Sequence, residues 1–120
     1  MAKGDLTLVF GGDTSIGVNC EWMFRGVDPL LASADLRMIQ LEEPFVAKET
    51  EAAGPDRTTA ALAPLKGRID LVTLSGNHFY DLGEDGVRDT LDWCRHHGIA
   101  ACGGGPALAG AGERGLGGRS

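Results

Sequence analysis

The chain has 120 residues, of which 42% are hydrophobic, and a formal net charge of -6 at neutral pH. That suffices for one domain with a buried core. The acidic balance, with no basic stripe, argues against a nucleic-acid partner. No apolar run approaches the ~20 residues that a membrane-crossing helix needs.

The first five residues, Met-Ala-Lys-Gly-Asp, lack the apolar centre of a signal peptide, so a cytoplasmic location is expected. A first strand is expected over residues 6–10, followed by a tight turn at Gly11-Gly12 and then by Asp13. Residues 18–31, with Trp22, Met23 and Phe24, read as a weaker helical or irregular piece. A second strand over 36–41 runs into Glu42-Glu43-Pro44, and Pro44 should end it. A polar loop over 47–55 leads to a short Ala-rich helix over 58–65, interrupted at Pro64.

A third strand over 69–74 stops at Ser75-Gly76-Asn77-His78-Phe79-Tyr80-Asp81-Leu82-Gly83. A helix then follows over 84–97, with Val87, Leu91 and Cys94 on one apolar stripe. Glu84 and Asp85 in its first turn, and Arg95, His96 and His97 in its last, match the helix dipole. Gly98 supplies the stop, and a fourth strand follows over 99–102. Strand-helix alternation predicts an α/β domain, a mainly parallel sheet flanked by helices. Cys20, Cys94 and Cys102 are odd in number and have no C-x-x-C spacing, so buried free thiols are expected rather than a zinc site.

Three expected strands thus end in chemistry-bearing residues: Asp13, Glu42, and Asn77-His78 with Asp81 close behind. Open α/β sheets build their sites at the carboxyl ends of strands. If the strands are parallel neighbours, those groups meet at one edge, as an oxygen-and-nitrogen cage for one or two divalent metals. Each residue alone has a plainer reading. Asp13 caps a turn, Glu42 is solvated like Glu43, and Asn77 is a turn residue. His78 is an ordinary core or turn histidine, and Asp81 belongs to the helix cap. Taken together and in order, the clusters favour a site. His96 and His97 are accounted for by helix-end electrostatics. Gly103-Gly104-Gly105 is a loop, because no Lys-Ser/Thr follows to make a phosphate-binding turn.

The ordered set Gly12-Asp13, Ala34-Asp35, Leu41-Glu42, Asn77-His78, Asp81, Gly83 and Gly98-Ile99 resembles the CapA family of poly-gamma-glutamate capsule biosynthesis proteins, within the calcineurin-like metallophosphoesterase superfamily. The likeness runs from about residue 6 to residue 106, with Gln40 and Gly76 standing where the family pattern has asparagines. It implies the N-terminal half of an αββα sandwich over residues 1–106, followed by a Gly- and Ala-rich disordered tail over 107–120. It also implies a metal-dependent hydrolase using Mn, Zn, Fe or Mg. Asp13, Glu42, Asn77 and His78 would be ligands, His78 would also be a proton donor, and Asp81 would orient it. The substrate would be an anionic or phosphorylated small molecule or polymer, and relatives are often exported or membrane-anchored. Family pattern is lost after Pro106, so two further expectations follow. One is a truncated, inactive folding or binding module. The other is self-association through uncovered sheet surface.

Overall fold

The structure, a computed structural model, describes residues 4–104, so the tail expected over 107–120 lies outside the described residues. The elements are β1 (Leu8–Thr14), a 3₁₀ turn (Glu21–Phe24), α1 (Asp28–Ser33), β2 (Leu36–Leu41), two 3₁₀ segments (Pro55–Arg57 and Thr59–Leu65), β3 (Leu71–Thr73), α2 (Gly83–His96) and β4 (Ala100–Cys102). The strands form one sheet in the order β1-β2-β3-β4, and every pair is parallel. The α/β class is the one that the alternation predicts.

Burial is one-sided. Ile39, Leu41, Val72 and Ala101 point to one face of the sheet and are buried there with Phe24, Leu31, Leu62, Leu65, Val87 and Cys94. Right-handed crossovers that always step the same way put their connections on the same side of a sheet. The other face carries the row Phe10–Met38–Leu71–Ala100, with Leu8 beside Leu36. Phe10 is 60% exposed and Leu8 49%, while Leu36, Met38 and Leu71 are half-buried. A neutral apolar surface of this kind favours association with a second copy. Light scattering is expected to read a mass that rises with protein concentration, and Phe10→Asp should reduce that rise. A constant monomer mass would rule this out.

The helical elements follow local chemistry. Pro64 sits inside Thr59–Leu65, which stays 3₁₀ rather than α. In α2, Val87 and Cys94 are fully buried and Leu91 partly. Thr90 is also fully buried on this face, although the apolar stripe omitted it. Its Oγ1 accepts the Phe45 N–H at 2.8 Å and donates to the Gly86 carbonyl at 2.7 Å. Gly98 takes φ +70° where the helix stops. His96 and His97 donate from Nδ1 to the carbonyls of Asp92 and Trp93, as helix-end residues do.

Cys20 and Cys94 are buried free thiols, whereas Cys102, expected to be buried, is only half so. Burial pushes the Cys94 thiol up to about 12. No helix among the described residues is long and apolar enough to cross a membrane.

The amino ends of the strands are knitted by ion pairs. Arg37 forks onto Asp70 through Nε at 2.9 Å and Nη2 at 3.0 Å. Arg68 forks onto Asp28 at 2.8 and 3.2 Å. Asp35 accepts the Thr7 N–H at 2.8 Å. Hydrogen bonds from Arg37 and Arg68 hold the Asp70 and Asp28 carboxyls below the usual range.

Candidate functional site

Asp13 reaches the sheet's carboxyl edge by a route different from the expected turn. β1 does not stop at Phe10. It continues through Gly11-Gly12 to Thr14, and the register shifts between Phe10↔Met38 and Asp13↔Gln40. Two glycines therefore oppose the single residue Ile39, which is a β-bulge. Space favours glycine here, since a Cβ on Gly11 would lie 3.0 Å from Ile39 Cγ2. The bulge also changes parity. In a regular ladder Asp13 would pair with Leu41 and share the buried face. With the extra residue it pairs with Gln40, and the row Asp13–Gln40–Thr73–Cys102 crosses all four strands on the open face.

β2 and β3 close on this row. The Glu42 N–H donates to the Thr14 carbonyl at 3.2 Å. The Thr73 hydroxyl donates to Gln40 Oε1. A Cβ on Gly76 would stand 3.0 Å from Gln40 Nε2 and 3.7 Å from the Glu42 carbonyl. The Gln40 side chain thus lies against the space that a larger residue at 76 would need. The two departures from the family pattern meet in space.

Asn77 and His78 follow in the turn after β3, both exposed, while the next residue, Phe79, is fully buried and anchors the turn. His78 Nδ1 lies 2.8 Å from Asp81 Oδ2. Helix α2 begins without a side-chain cap, so the carboxylate of Asp81 serves the imidazole rather than the helix. The hydrogen bond to Asp81 raises the His78 pKa above its ordinary 6.5, and the charges of Asp81, Glu42 and Glu43 add to the rise. A raised folded pKa stabilises the fold fully below 6.5, and that contribution fades as pH climbs through the folded value. In metal-free protein, the His78 ring signals in an NMR titration should shift with a midpoint above 6.5, and Asp81→Asn should bring it back. Equal midpoints in the two proteins would remove the dyad.

Glu43, expected to be solvated, is instead engaged. Both of its oxygens lie 2.8 Å from the Ser15 hydroxyl, and Arg57 Nη2 is 3.3 Å from Oε2. Its partners are distant in the chain, so no local pattern could have marked them. Asp13, Glu42 and Asn77 differ from Asp28, Asp35 and Asp70: no protein group holds their side chains among the described residues. Two carboxylates, an amide oxygen and an imidazole are donors suited to a divalent cation. Among the described residues, no group of three or more His, Cys, Asp or Glu could by itself hold a metal ion.

A search of curated proteins finds no match. A family model described as bacterial capsule synthesis protein PGA_cap matches residues 1–114. With that match spanning nearly all of the sequence, and with the strand-end residues gathered as described, the chain belongs to the family of bacterial capsule synthesis proteins.

Proposed function

We propose that this chain works in capsule biosynthesis as a metal-dependent, phosphoesterase-like hydrolase. Its substrate would be an anionic or phosphorylated small molecule or polymer of the poly-gamma-glutamate kind. One contrast carries the reading. Asp28, Asp35 and Asp70 at the amino ends are all tied to protein donors, whereas Asp13 and Glu42 at the carboxyl ends are left unengaged beside a braced histidine. Carboxylates without a protein partner at a strand edge are available to a bound cation.

Asp13, Glu42 and Asn77 would hold the ion, and His78 would either join them as a ligand or stand beside the ion as a proton donor. When bound, it supplies Lewis acidity for a phosphoryl oxygen and acidifies a coordinated water. Asp81 accepts a hydrogen bond from Nδ1–H, which leaves Nε2 of His78 as the ring nitrogen for chemistry. The raised pKa favours the protonated ring, which can give its proton to the leaving oxygen. The acidic surface keeps nucleic acid out of the substrate range.

Calorimetric titration with Mn²⁺ is expected to show binding on the order of 10⁻⁴ to 10⁻³ M, the range of open, weakly assembled oxygen sites. Asp13→Ala should abolish it. No heat from the wild-type chain at millimolar Mn²⁺ would reject the metal reading. It would favour the second one, an inactive folding or binding module.

A further inference from the structure

Four hydrogen bonds or ion pairs outside the candidate ligands converge on the loops that carry them. Ser15, two residues beyond Asp13, donates to the carboxylate of Glu43, the neighbour of Glu42. Arg57 presents one arm of its fork to Glu43 at 3.3 Å and the other to the Ile16 carbonyl. Its plane lies over the Phe45 ring, 5.5 Å from the centroid. Asp56 Oδ1 accepts the Val18 N–H at 2.9 Å. Gly17 packs on this carboxylate so closely that a Cβ would sit 2.9 Å from Oδ1. The 3₁₀ turn Pro55–Arg57 is itself fixed, because the Val46 N–H donates to the Arg57 carbonyl at 2.8 Å.

From this we infer that Glu43 and Arg57 are positioning residues. They clamp the loop after β1 to the loop after β2 and so set the spacing of Asp13 and Glu42. The inference rests on the proposed metal site but concerns residues that are not ligands. Arg57 holds Glu43 toward Ser15, so its carboxylate is spent on the clamp and Glu42 is left for the cation. A planar fork is required, since one head group must serve Ile16 and Glu43 together. A lysine ammonium supplies the charge without that geometry.

Two readouts test it on Ser15→Ala, Ser15→Thr, Glu43→Gln and Arg57→Lys. The first is hydrogen exchange of the Gly17 and Val18 amides without metal, with the α2 amides as an internal control for global stability. The second is Mn²⁺ affinity by calorimetry. Ser15→Ala, Glu43→Gln and Arg57→Lys are expected to speed exchange in the loop and to weaken Mn²⁺ binding, each roughly tenfold, as loss of one charge-assisted bond implies. The α2 amides should be unchanged, and Ser15→Thr should behave as wild type. Unchanged loop exchange in Ser15→Ala and Arg57→Lys would overturn the clamp whether or not metal binds. Faster exchange with unaltered Mn²⁺ affinity would overturn its positioning role. Absence of Mn²⁺ binding in the wild type would instead remove the metal site on which that role depends.

Discussion

His78→Ala is expected to slow the hydrolysis of an aryl phosphate in Mn²⁺ by about 10²- to 10⁴-fold, the range that a positioned general acid contributes. Asp81→Asn should cost less, roughly 10- to 100-fold, because it disturbs the histidine through its orientation and basicity only. The two variants should also differ in pH profile. Asp81→Asn should move the alkaline limb to lower pH, since the carboxylate that raises the His78 pKa is gone. His78→Ala should remove that limb. Steady-state rates across pH 5 to about 9 decide it, a span chosen to bracket ordinary histidine titration. A His78→Ala enzyme as fast as wild type would dismiss the acid role. If neither the variant nor the wild type turned over, the chain would be the inactive module.

Thr90→Val is the structural counterpart and should destabilise the domain by about 1–3 kcal/mol, the cost of stranding a buried donor. Valine keeps the shape of threonine but cannot accept the Phe45 N–H. Both residues are fully buried, so water cannot substitute. Thr90→Ser keeps the oxygen and should retain most of the stability. Urea denaturation should show a lower midpoint with an unchanged slope for Thr90→Val. The effect reaches the site because Phe45 follows Glu42-Glu43-Pro44 directly, and the Thr90 bond helps fix where that segment leaves the sheet. A midpoint equal to wild type would mean that the Phe45 amide finds another partner.

Much of this could be read from the residues, for identifiable reasons. β2 matches its expected bounds because Leu36, Met38, Ile39 and Leu41 are bounded by Asp35 on one side and by Glu42-Glu43-Pro44 on the other. α2 begins and ends within a residue of expectation, since charge, periodicity and Gly98 agree. The misreadings share a cause. Gly11-Gly12 has the composition of a turn, and only pairing with a neighbouring strand makes it a bulge. Glu43 looks like a surface carboxylate, and only Ser15 and Arg57, brought in by the fold, make it a structural one. Thr90 reads as a polar break in an apolar stripe until Phe45 arrives from across the domain. The carboxyl ends of β2 and β3, and so the placement of Glu42 and His78 just beyond strands, were accessible from local pattern. Side-chain partners across loops were not.

The strand order has a consequence for how the chain is made. Among the described strands, each lies beside the one synthesised just before it, and none of the four is inserted between two earlier ones. A nascent chain leaving the ribosome can therefore grow its sheet by addition at one margin, with each crossover closed soon after its second strand emerges. The margin at β1 is settled first. The apolar residues Leu8 and Phe10 are then in place while the remainder is still being translated. Such a surface is exposed to chaperones and to neighbouring chains for the longest part of synthesis, so the yield of folded protein should respond to chaperone supply more than its final stability suggests.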